Sequence, residues 1–226
     1  MIHLLVLAVA PGLFLLMVFY LKDRYERESL SLVGKVFLAG VLAVFPAVIL
    51  EDLIIDDLSP KLVDVPSLIY MSYLGIGFPE ELVKFLAVLL LAYNSSEFNE
   101  PFDGVVYSVA SSLGFATLEN LFYVLEGGVL VGLVRAVLAV PSHALDGAVM
   151  GIYLGRAKMM GYRGGLTKAL AYPVLLHGTY DFLLFVDPGA FLLLGIPLML
   201  LVLRFVLKSM RRLEDSSPFK PSTLQS

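Results

Sequence analysis

Along this chain, long apolar runs alternate with short polar joins. Runs at 2–21, 33–50, 66–93, 104–124, 129–157, 167–186 and 190–208 can each cross a hydrocarbon core of about 30 Å as a helix rising about 1.5 Å per residue. The pattern predicts an all-α, polytopic integral membrane bundle of about seven transmembrane helices. An eighth crossing has two places to hide: the 94–103 join, which has no basic residue, and the 129–157 run, which Pro141 interrupts. The first run has no basic start and no A-x-A site, and KDRYER follows it, so it reads as a retained helix rather than a cleaved signal peptide.

Composition sharpens this picture. Hydrophobic residues make up 58% of the chain and charged residues 16%, and the mean hydropathy of +0.86 lies outside the range of soluble domains. A net charge of −4 gives no reason to expect a nucleic-acid partner. The chain has no cysteine, which removes disulfides, thiolate catalysis and cysteine metal ligands together. Residues 1–213 are expected to form a single transmembrane domain, and the polar, proline-containing residues 214–226 a disordered cytoplasmic tail.

Basic residues cluster at Lys22–Lys35, Arg156–Lys168 and Lys208–Arg212, whereas EDLIIDDLSPKLVDVP is acidic with one lysine. Basic joins stay cytoplasmic, so seven crossings would put the N-terminus outside and the C-terminus inside.

Ionisable residues inside the runs are the functional candidates, because each costs at least a few kcal/mol at the bilayer centre. They are Glu80, Glu81 and Lys84 in GFPEELVKF; Asp103, and Glu119 with Asn120; Arg135, His143 and Asp146; and His177 and Asp181. Counted from the cytoplasmic ends of their runs, Glu80, Glu119, His143, His177 and Asp181 fall in one layer at about 15–22 Å depth, at about 1.5 Å per residue. Gly75, Gly77 and Pro79 are expected to break the third run and to start a fresh helix whose positive end faces the two glutamates. Lys84 follows Glu80 by four positions and can neutralise one carboxylate. His177 and Asp181 share a face, so the carboxylate can orient the ring. Helix phase favours Glu80 as the residue facing a cavity, with Glu81 turned to a neighbouring helix. Blander readings are available: the Glu–Lys triplet can simply neutralise itself, and Gly147, Gly151 and Gly155 suit close helix packing.

Known hydrolytic designs are mostly excluded. There is no HExxH and no GxGD, and Ser142 and His143 are neighbours that point to different faces of a helix. What is left is a set of glutamates and histidines, able to activate water by general base catalysis or to bind zinc.

The segments PEELVK, FDGVVYSVASSLGFATLEN, RAVLAVPSHALDGAVMGIYLG and HGTYDF occur in this order from Gly77 to Phe182, and they resemble the motifs of the PrsW family of membrane proteases. That family resembles the wider CAAX-prenyl-protease-like group of glutamic membrane proteases. The resemblance implies that Glu80 and Glu81 are the essential glutamates and His177 the essential histidine. Glu119 stands where the wider group has the histidine of FxxxH, His143 begins HxxxG, and His177 opens HxxxD, which ends at Asp181. Lys84 comes one position earlier than the arginine of that group's EExxxR.

The expected catalytic set is therefore Glu80, Glu81, Glu119, His143, His177 and Asp181. The cofactor is either none or zinc, and a zinc would sit on His143 and His177 with Glu80 or Glu119. The implied activity is that of an intramembrane endopeptidase, housed in the lipid bilayer, on a membrane-anchored protein such as an anti-sigma-factor-like regulator cut near its outer membrane face. An ion- or proton-coupled transporter using the same polar ring is the alternative, and a helix-binding scaffold is the third.

Overall fold

A computed structural model of the chain describes residues 2–55 and 64–221. Those residues form helices joined by short turns, with no strand among them. Helix α1 spans Ile2–Lys22 and α2 spans Leu30–Ile55. One continuous rod follows, made of α3 (Val65–Tyr70), a π-helical segment (Met71–Gly77), α4 (Phe78–Val88) and a second π segment (Leu89–Tyr93). Next come α5 (Asp103–Val137), α6 (Ala139–Met160) and α7 (Gly165–Val186). A last rod joins α8 (Pro188–Ala190), a π segment (Phe191–Gly195) and α9 (Ile196–Asp215).

Among the described residues, five helical stretches are long and apolar enough to cross a membrane: 2–22, 30–55, 103–160, 165–186 and 188–215. The expected count of about seven is not reached on that measure, for two physical reasons. The runs expected at 104–124 and 129–157 lie within one stretch, and the 66–93 rod carries Glu80, Glu81 and Lys84. The 103–160 stretch would be about 87 Å long if straight, at about 1.5 Å per residue, but it turns twice. Gly128 adopts φ 73° and ψ −159°, a backbone state open to glycine, and α5 hands over to α6 at Leu138. Pro141 does not interrupt the run. It sits in the first turn of α6, where its missing N–H has no intrahelical partner to lose.

Helix α5 is the hub, packing against α1, α2 and α6. Every residue from Asp103 to Thr117 is buried, and the many Gly, Ala and Ser residues in that segment let neighbouring backbones approach closely. The glycine stripe of α6 lies against it: a Cβ at Gly147 would stand 2.8 Å from the Ser108 carbonyl oxygen, and Gly151 and Gly155 meet Gly104 and Pro101 in the same way. Large apolar side chains such as Leu13, Phe14, Leu42, Phe45, Leu200 and Leu201 point outward, as a bilayer-facing surface requires. Helix α9 runs to Asp215, and Ser217 beyond it is buried. Residues 222–226 of the expected tail and 56–63 of the acidic join lie outside the described residues.

Candidate active site

Glu80, Glu81 and Lys84 project from α4, and the way that helix is entered decides what balances their charge. The expected break before the glutamates does not occur. Gly77 keeps φ −57° and ψ −42°, and the Phe78 N–H bonds the Tyr73 carbonyl five residues back. A π turn widens the helix just ahead of Pro79, whose ring would otherwise press on the carbonyl four residues before it. No free helix end therefore faces the glutamates, and their countercharge comes from a side chain.

That side chain is Lys84, which is fully buried. Its ammonium lies 2.9 Å from Glu80 Oε2, 2.8 Å from Glu81 Oε1 and 3.2 Å from His143 Nδ1. An ammonium has three N–H donors and no acceptor, so these three contacts use all of them. Lys84 thus holds both carboxylates rather than the one expected from spacing. It also stands 4.2 Å from the centre of the Phe115 ring, a cation–π contact. Because Lys84 can only donate, His143 Nδ1 accepts, which places the ring proton on Nε2, 3.0 Å from Glu119 Oε2. Glu119 also accepts from Arg135 at 2.8 Å, and Arg135 bonds the Asn120 side-chain oxygen at 3.0 Å.

His177 arrives on α7, which packs close because Gly77 has no side chain: a Cβ there would lie 3.2 Å from the Gly178 nitrogen. Its Nδ1 is 3.0 Å from Glu81 Oε1, and its Nε2 is 3.4 Å from Asp181 Oδ2 and 3.8 Å from Glu80 Oε2. Both ring nitrogens face carboxylates, so a protonated ring has a donor for each. The rings of His143 and His177 meet edge to face at 5.2 Å.

The structure thus brings Glu80, Glu81, Glu119, His143, His177 and Asp181 together from α4, α5, α6 and α7. A cavity of about 430 Å³ opens beside them, lined by Glu80, Glu119, His143, His177 and Asp181 but not by Glu81. Glu81 lies beneath, fully buried, with Oε2 lacking any hydrogen-bond partner among the described residues. Glu51, Arg135 and Tyr180 also line the cavity. Arg135 was legible as an in-span cation, whereas Glu51 reads in sequence as part of an acidic join and Tyr180 carries no charge to mark it. Asp146 lines a separate small cavity with Ser142 and Tyr180. Asp103 is not part of the site. It lies at the start of α5, where its Oδ2 accepts from the Asn99 and Glu100 N–H groups.

Glu80, Glu81, His143 and His177 each offer a ligand atom within 4.8 Å of the others, and two carboxylates with two imidazoles suit zinc in kind and number. Glu119, expected as an alternative ligand, is outside that group. Lys84 already contacts three of the four residues, so a metal would share them with a resident ammonium.

Comparisons with known proteins agree on one family. A family profile described as PrsW family intramembrane metalloprotease matches residues 28–207. Protease PrsW of Geobacillus kaustophilus is 44% identical over 81% of this chain and 80% of its own length. The protein of that name from Bacillus subtilis is 42% identical over 78% and 80%, and the one from Halalkalibacterium halodurans is 40% identical over 89% and 93%. No solved structure matches the chain. Nothing in these comparisons supports the transporter alternative.

Proposed function

The chain belongs to the PrsW family of intramembrane proteases, and on that premise we propose that it cleaves a peptide bond of a membrane-anchored protein with Glu80 as general base. The supporting observation is the asymmetry of the glutamates: Glu80 lines the cavity, whereas Glu81 is sealed beneath it. Glu80 takes a proton from a water in the cavity as the oxygen of that water attacks the scissile carbonyl. His177, held by Glu81 through Nδ1, turns its Nε2–H from Asp181 to the developing oxyanion. The proton on Glu80 then passes to the amide nitrogen as the C–N bond breaks, which yields an acid and an amine. Lys84 keeps the pair of carboxylates paired, and His143, fixed between Lys84 and Glu119, closes the wall of the site. A zinc ion would be held by His143 and His177 with Glu80, which would then serve as a ligand and not as the base, and when bound it would polarise the carbonyl and acidify water. An anti-sigma-factor-like regulator is the substrate class we favour.

The test is to reconstitute the full chain in liposomes with a panel of membrane-anchored peptides and to look for products by mass spectrometry. Cleavage is expected, and Glu80→Gln should lower its rate about 10²–10⁴-fold without changing thermal unfolding. A Glu80→Gln rate above about a tenth of wild type would overturn the base assignment.

We further propose seven crossings: 2–22, 30–55, the 65–93 rod, the two limbs of 103–160, 165–186 and 188–215, with the N-terminus outside. The basic clusters support this orientation. A Ser31→Cys variant, the sole cysteine in the chain, should resist an impermeant thiol label applied to intact cells, and labelling would reverse the orientation.

A further inference from the structure

A second group of buried carboxylates lies at the opposite end of the bundle, far from the cavity. Asp23 and Glu28 sit in the connection between α1 and α2, Asp103 opens α5, and one oxygen from each comes within 4.8 Å of the others. All three are buried, at 1%, 2% and 0% exposure. Three carboxylates so placed repel one another and lose hydration, which burial tolerates only where a countercharge or a proton is supplied.

The protein supplies little. Both oxygens of Asp23 lack a hydrogen-bond donor among the described residues, as do Glu28 Oε1 and Asp103 Oδ1. The donors present take the other oxygens: Tyr107 bonds Glu28 Oε2, and two backbone N–H groups bond Asp103 Oδ2. Arg27 is close in sequence and Lys158 close in space, but both turn elsewhere. Arg27 bonds the backbone carbonyl of Asp23, and Lys158 bonds the carbonyls of Tyr93 and Ser95. Glu100, also buried, adds a fourth acid nearby and accepts from the Ser217 hydroxyl.

We propose that Asp23, Glu28 and Asp103 bind one hard divalent cation, Mg2+ or Ca2+, which ties the α1–α2 connection to the start of α5. One oxygen from each of the three lies within 4.8 Å of the others, the spacing of ligands around a single ion, since two oxygens on opposite sides of Ca2+ stand about 4.6–5.2 Å apart and around Mg2+ about 4.0–4.2 Å. The set is all oxygen, with no imidazole or thiolate, and so suits a hard ion over zinc or copper. A site with few protein ligands leaves positions for water, as Mg2+ in particular prefers. Ser217 on Glu100 places the end of α9 against the same cluster, so the ion would also steady the last helix. This site is independent of the peptidase reading.

The experiment uses the full chain in detergent micelles, stripped with chelator and titrated with Tb3+ while tyrosine is excited. Tyr107, in contact with Glu28, is the sensitiser, and the chain has no tryptophan. One saturable emission is expected, displaced by Ca2+ or Mg2+; the ion that competes better is the preferred occupant. Asp23→Asn and Glu28→Gln should each weaken Tb3+ binding at least tenfold, and Glu80→Gln should leave it unchanged. Should those variants not fold, the wild type still decides: Ca2+ or Mg2+ must raise its melting temperature where sodium at equal ionic strength does not. No saturable emission, emission that survives Asp23→Asn, emission lost in Glu80→Gln, or a wild-type melt indifferent to both ions would each overturn the proposal.

Discussion

The cavity site and the Asp23–Glu28–Asp103 cluster are both knots of buried carboxylates, and they differ in what faces the acids. In the cavity site Glu80 and Glu81 share Lys84, and Glu119 has Arg135. Each of those three carboxylates has an opposite charge in hydrogen-bond contact. In the cluster, among the described residues, no basic side chain comes within ion-pair distance of the three carboxylates, and the neighbouring Arg27 and Lys158 bond backbone carbonyls instead. A buried acid needs a partner in either case, so the first region carries its cation in the sequence and the second depends on one from solution. Removing charge should therefore act in opposite directions at the two ends of the molecule.

The largest effect is expected at Lys84. Replacing it with methionine keeps the volume but leaves two carboxylates in a closed site with only His177 to balance them. Breaking a buried pair from one side typically costs about 3–5 kcal/mol, so Lys84→Met should lower the melting temperature by several degrees and abolish cleavage. Calorimetry of the detergent-solubilised chain measures this. A Lys84→Met protein as stable as wild type would mean that the glutamates are already neutral, and the contrast between the two regions would collapse.

The same contrast explains what was readable in advance. Glu80, Glu81, Glu119, His143, His177 and Asp181 stand out because charge is costly in an apolar run, and helical spacing alone placed Lys84 beside Glu80. Three-body contacts were not readable: the bond from Lys84 to His143 joins residues 59 positions apart, and nothing local announces it. Proline positions misled, because Pro79 reads as a break until a π turn is seen ahead of it, and Pro141 reads as an interruption until its place in the first turn of α6 is known. The bend at Gly128 falls in the join between the runs at 104–124 and 129–157 and was legible there, whereas the handover at Leu138 hid within the second run. The second cluster was invisible. Asp23 and Glu28 belong to a charged join that looks solvated, and Asp103 reaches them only through the packing of α1 and α2 on α5.

A smaller effect, of opposite sign, is expected at Asp23 when no divalent ion is present. Burial, then the negative charges of Glu100, Asp103 and Glu26, push its carboxyl up from 3.8 to about 8, and Glu28 beside it is pushed to about 10. A carboxyl whose folded-state pKa is raised favours folding while protonated, so its contribution is intact below about pH 4 and is lost as pH rises through about 8. Asparagine does not titrate and cannot suffer that loss. In chelator, Asp23→Asn should accordingly match wild type near pH 4 and become more stable than wild type towards pH 8, by an amount on the order of 1 kcal/mol. Saturating Ca2+ or Mg2+ should invert the order at pH 8, because wild type gains the ion's binding free energy and the variant, short of a ligand, gains less. Thermal melts of both proteins at the two pH values, with and without the ion, give the comparison directly. If Asp23→Asn is the less stable protein at pH 8 in chelator, then Asp23 has a protein cation that pairs with it in solution, and the two ends of the bundle solve the burial of carboxylates in the same way.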